Sequence, residues 1–155
     1  MKKIAIFAMF LSMTAIMYAG TPISASSLPA AAQTFLNKHF AGDNVRKAEK
    51  DNGRRGTEYE VDMTSGAEIE FTSDGDWKEI KASRGNAVPA AVVPSAIAKF
   101  VADNFSGEII TEIAKKRGGY EVELSNGTEL KLTADAKPMP QRNGNGNRGG
   151  RPRTL

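Results

Sequence analysis

The apolar positions along the chain change period twice. Ala32, Phe35, Leu36 and Phe40 stand at i, i+3, i+4 and i+8, one stripe of a helix opened by Pro29 and closed by Gly42. Ile97, Phe100, Val101 and Phe105 repeat that stripe between Pro94 and Gly107. After each helix the spacing drops to two. Tyr59, Val61 and Met63 oppose Glu58, Glu60 and Asp62, and Ala67, Ile69 and Phe71 oppose Glu68, Glu70 and Thr72. In the second set Tyr120, Val122 and Leu124 answer Leu130 and Leu132, with Ser65-Gly66, Asp74-Gly75 and Asn126-Gly127 as turns.

These segments form an internal repeat. Leu28-Pro29, Phe35, Phe40 and Gly42 return as Val93-Pro94, Phe100, Phe105 and Gly107. Tyr59-Glu60-Val61, Gly66, Glu68-Ile69, Thr72 and Asp74 return as Tyr120-Glu121-Val122, Gly127, Glu129-Leu130, Thr133 and Asp135. The offset is 65 residues before the first strand pair and 61 after it. The difference falls in Asp51 to Gly56, whose polar, glycine-containing sequence reads as a longer hairpin loop. Each repeat predicts one helix followed by a three- or four-stranded antiparallel meander. One repeat offers roughly eight core side chains at ~2 kcal/mol each, too little against ~1–2 kcal/mol of backbone entropy per ordered residue. The prediction is therefore a single α+β domain over residues 26–137, with repeat one at 28–82 and repeat two at 88–137. It shares one seven- or eight-stranded sheet, with both helices on the same face.

The two ends lie outside that body. Lys2 and Lys3 precede an uncharged apolar run from Ile4 to Ala19, followed by small residues up to Ala25. This has the form of an export signal over residues 1–25, cut after Ala19 or after Ala25. The run is shorter than the ~20 residues a membrane-crossing helix needs, so no anchor is expected after cleavage. From 138 to 155 the chain is rich in Gly, Pro and Asn and too poor in apolar side chains to offset its ordering entropy. It reads as a disordered tail. Its Arg142, Arg148, Arg151 and Arg153 allow weak contact with an anionic surface. The formal charge of +3 is thus a property of the ends. Without Lys2, Lys3 and the four tail arginines the body carries −3.

Composition removes several chemistries. The absence of cysteine excludes disulfides, thiolate metal ligands and a thiol nucleophile. His39, the one imidazole, stands at a helix end where Asn104 is its counterpart, which suits a polar boundary residue, and no triad spacing accompanies it. Asp74-Gly75-Asp76 is a tight turn without the further spaced oxygens of a calcium loop. No enzyme, cofactor, metal or nucleic-acid role is expected.

The repeated pattern of Pro, Phe, Phe-x-Gly and Tyr-Glu-Val-x-x-x-x-Gly-x-Glu-Ile/Leu resembles the PepSY-like, β-lactamase-inhibitor-like domain of exported bacterial proteins, in two tandem copies. The resemblance implies helices covering one sheet face while the other grips a partner, and no established activity. The outward positions of the strands are Glu58, Glu60, Asp62, Glu68, Glu70, Glu121, Glu123 and Glu129. Trp77, out of phase with Ile80, is expected among them. That face predicts a periplasmic or extracellular module that binds an envelope protein or peptide. Inhibition of a peptidase or β-lactamase is the alternative the resemblance implies. Sensing of cations or basic ligands is the alternative the carboxylates suggest.

Overall fold

The computed structural model describes residues 20–53 and 56–139. Eight strands form one antiparallel sheet in chain order: β1 (Thr21–Pro22), β2 (Val45–Gly53), β3 (Gly56–Met63), β4 (Glu68–Thr72), β5 (Trp77–Lys81), β6 (Ile110–Lys116), β7 (Gly119–Leu124) and β8 (Glu129–Leu132). The helices α1 (Ala30–His39) and α2 (Ser95–Asn104) each follow a short 3-10 turn, at Ala25–Ser27 and Ala90–Val92. The architecture is the α+β fold the periodicity predicts.

Ten-residue helices are marginal in isolation, so packing holds them in place. Ala32 and Leu36 from α1 and Ile97 and Val101 from α2 join Val61, Ile69, Phe71, Ile80, Ile113, Val122 and Leu124 of the sheet in one core. Each fully buried aliphatic or phenyl side chain contributes roughly 1.5–3 kcal/mol, and both repeats supply them to the same layer.

The longer first hairpin is strand rather than loop. Asp51, Asn52 and Gly53 pair with Glu58, Thr57 and Gly56, whereas the second hairpin turns directly after Lys116 and Gly119 pair. The inserted residues lengthen the ladder because their polar side chains stand at a solvated end, where pairing exposes no apolar group.

The folded body also begins before residue 26 and runs past 137. Thr21 and Pro22 pair with Lys50 and Glu49. At the other edge Pro138 bridges Leu132, and the Met139 amide donates to the Lys131 carbonyl at 2.9 Å. The remainder of the expected leader and tail lies outside the described residues.

Candidate interaction face

Strand alternation sends one set of side chains to the helices and the other to an uncovered face. Register then decides which outward residues meet. Glu49 faces Glu60, Glu60 faces Glu70, and Glu70 faces Glu79, so four carboxylates stand in a row across β2 to β5. The row continues through Ala114 and Glu121 to Lys131. A neighbouring row runs Lys47, Asp62, Glu68, Lys81, Glu112, Glu123, Glu129, and Asp51 faces Glu58 beyond the first. Directly opposed side chains have Cβ atoms about 4.5–5.5 Å apart, where like charges destabilise the sheet.

Cations offset part of this repulsion. Lys78 Nζ lies 2.7 Å from Glu58 and 3.6 Å from Glu70. Lys131 lies 3.2 Å from Glu129 and 3.7 Å from Glu121, and Lys116 lies 3.7 Å from Glu79. Solvated pairs of this kind contribute about 0–1 kcal/mol each. Among the described residues Glu60, Glu112 and Glu123 take part in no ion pair.

Proton affinities record the crowding. Burial, then the charges of Glu79 and Glu123, push Glu112 up to about 7. Burial also raises Glu70, with Glu79 adding to it, and Glu60, with Asp62 and Glu70 adding. Glu121 rises through burial and its hydrogen bond to Glu129, which is held low by that bond. A depression of about 360 Å³ at the seam between the repeats is lined by Lys81, Arg84, Glu112 and Glu123, among others. Among the described residues no three His, Asp or Glu side chains are placed to hold a metal ion.

The seven glutamates named from the sequence, Glu58, Glu60, Glu68, Glu70, Glu121, Glu123 and Glu129, therefore share the open face. Glu49, Glu79 and Glu112 join them; Glu79 and Glu112 stand next to the inward Ile80 and Ile113, a local signal, whereas nothing in the local pattern announced Glu49. β2 shows almost no apolar alternation, and bulges reset the phase of β5 and β6.

Trp77 does not join them. Its Cα partner is Phe71, a fully buried core residue, because the register shifts between Glu70 and Phe71 and leaves Lys78 as the extra residue. The bulge turns Trp77 back to the side of Ile80. Its ring lies 6.5 Å from Phe35 on α1 and 6.5 Å from Tyr120, with Lys115 Nζ 4.1 Å from its centroid. Phe35 in turn stacks on His39 at 4.5 Å, and burial, with Lys38 beside it, keeps that imidazole below its ordinary value. These are packing roles. Trp77→Ala is expected to cost about 1–2 kcal/mol in chemical denaturation, less than a fully buried Trp because the residue is only partly buried, and to leave any binding by the open face unchanged.

A duplicated helix-and-meander unit, with both helices on one side of a continuous sheet and the other side bare, defines the class of domain. The matches in sequence are specific. The family described as "Putative beta-lactamase-inhibitor-like, PepSY-like" matches at residues 14–63 and again at 57–137, and the chain belongs to this family. Among solved structures, a "putative periplasmic protein" of the DUF2874 family from Bacteroides vulgatus is 35% identical, with a TM-score of 0.73 over 80% of this chain and 97% of its own. A "putative calcium-regulated periplasmic protein" from Bacteroides thetaiotaomicron is 33% identical, with a TM-score of 0.73 over 78% and 94%. A third, from Bacteroides vulgatus and of unknown function, is 31% identical, with a TM-score of 0.71 over 76% and 93%. The curated proteins contain no match. Among the described residues no helix is long and apolar enough to cross a membrane.

Proposed function

We propose that the protein is a non-enzymatic periplasmic module that binds a protein or peptide presenting basic side chains to the open sheet face. The observation that carries this reading is the uninterrupted row Glu49, Glu60, Glu70, Glu79, with Glu112 and Glu123 beside it in no ion pair among the described residues. A solvated sheet face needs no such row, since cross-strand pairs of opposite sign would be more stable. Lysines or arginines laid along it would remove the repulsion and gain charge-assisted hydrogen bonds. The relatives described as periplasmic support the compartment.

The inhibitor alternative has less support, because among the described residues this face lacks the aromatic anchors that dominate tight protein interfaces once Trp77 is turned inward. Regulation by calcium is suggested by the description of the Bacteroides thetaiotaomicron relative. It finds no clustered ligand set among the described residues here.

A photocrosslinking residue at Glu123, which is exposed, is expected to give a discrete polypeptide adduct in the native envelope, and the same probe at Ala98 on the exposed back of α2 is not. Glu60→Gln, Glu70→Gln and Glu79→Gln together should cut the adduct about tenfold or more. Equal yield from the triple variant would overturn the reading. A melting temperature that rises with millimolar calcium alone would favour the cation instead.

A further inference from the structure

We propose that the mature chain begins at Gly20, released by hydrolysis of the Ala19–Gly20 peptide bond. The inference rests on the export reading of Lys2, Lys3 and the apolar run behind them, and it concerns which of two small-residue sites is used.

A cut after Ala25 would remove parts of the folded domain. Thr21 and Pro22 would no longer pair with Lys50 and Glu49. The Ile23 amide, which donates to the Ala48 carbonyl at 2.9 Å, would be lost together with the Ile23 side chain that packs on the core. The 3-10 turn before α1 would lose its start, since Ser27 and Leu28 donate to the carbonyls of Ser24 and Ala25 at 2.9 and 3.3 Å. The Ser24 hydroxyl lies 2.9 and 2.8 Å from those of Ser26 and Ser27.

The repeat gives an independent reason. Ile80 of β5 faces Ile113 of β6, and Ala48 is the counterpart of Ile113 in the first repeat. Ile23, bonded to Ala48, therefore stands where Ile80 stands, and β1 is to repeat one what β5 is to repeat two. Removing β1 would leave β2 without the neighbouring strand that β6 has in β5, and would expose the edge of β2 to unwanted pairing. The first family match begins at residue 14 and so includes this strand.

A cut after Ala19 keeps all of it. Gly20 lies against β2: a Cβ at this position would come within 3.0 Å of the Glu49 Cβ and 3.2 Å of the Lys50 carbonyl oxygen. Water adds across the Ala19–Gly20 bond, catalysed by the signal peptidase of the export machinery. The carboxylate stays on the leader and an α-ammonium is left on Gly20.

The test is to express the full 155-residue chain in a Gram-negative host that exports it, then to take the intact mass and N-terminal sequence of the product. A chain starting at Gly20 is expected. A start at Ser26, or at any other processed position, overturns the proposal and leaves export standing. A start at Met1 overturns both. As a second measurement, a chain made to begin at Ser26 should melt about 5–10 °C below one beginning at Gly20. Equal melting would remove the physical basis of the proposal.

Discussion

Gly75→Ala is expected to destabilise the domain by about 2–4 kcal/mol in urea denaturation. Two causes add. Gly75 has φ +89°, where an L side chain is strained. A Cβ there would also lie 2.8 Å from the Ala32 amide nitrogen, 2.9 Å from Pro29 Cβ and 3.1 Å from Ala31 Cβ. The β4–β5 turn is therefore seated directly on the first turn of α1, and a methyl group must push the helix off the sheet. The second repeat supplies the control. Its corresponding turn is closed by the same hydrogen bonds, Ala136 to Thr133 at 2.9 Å and Thr133 to Lys137 at 2.8 Å, against Gly75 to Thr72 at 3.0 Å and Thr72 to Asp76 at 2.8 Å. Ala136 there has φ 60° and packs against the core. Ala136→Gly should stay within about 1 kcal/mol, because relieved strain and lost methyl packing offset each other. A neutral Gly75→Ala would show that the α1 contact is softer than its distances imply.

Stability should fall as pH rises from about 4.5 to about 7. Glu112 keeps its proton up to about 7 in the folded chain, against an ordinary value of 4.5. Between those values the native state binds more protons than the unfolded state, so raising the pH draws protein toward the unfolded form. Glu60, Glu70 and Glu121 are raised as well and act in the same direction, while His39, held below 6.5, acts in the opposite one and offsets part of the slope. The groups held low, Asp135 at about 2 and Asp43 through its hydrogen bonds with Ser65, lose their contribution only in more acidic solution. With partial solvent screening the loss between pH 5 and pH 8 is expected to be about 2 kcal/mol, read from melting or denaturant curves. Glu112→Gln should remove most of the slope and raise stability at pH 8. A slope of the opposite sign, or one unchanged in the variant, would show that Glu112 is solvated like an ordinary surface carboxylate.

Much of this architecture was legible in the sequence, because its signals are local. The stripe of Ala32, Phe35, Leu36 and Phe40, the alternation through Tyr59 to Phe71, and their recurrence in the second repeat lead to two helices on one face of a shared sheet. What escaped was phase and pairing. Counting by twos from Ile80 sends Trp77 outward, and only the bulge at Lys78, formed where β4 and β5 meet, reverses it. Similar shifts leave Arg46 and Thr111 as extra residues at the starts of β2 and β6. β1 is two residues long and carries no period at all. The candidate face was legible as a set of outward glutamates, yet the row that gives it chemical character depends on register across four strands. Glu49 and Glu79 enter that row only through their neighbours.

The bridge between Pro138 and Leu132 reproduces, at the same offset of 61, the pairing of Trp77 with Phe71. Chain growth beyond β8 thus starts along the path by which the first repeat passes into the second. Among the described residues the domain is a series of two terms, and Pro138 brings no amide hydrogen to the edge that follows them. A further helix-and-meander unit joined after Met139 would find its connecting strand already in register, so the sheet is extensible by whole modules from this edge.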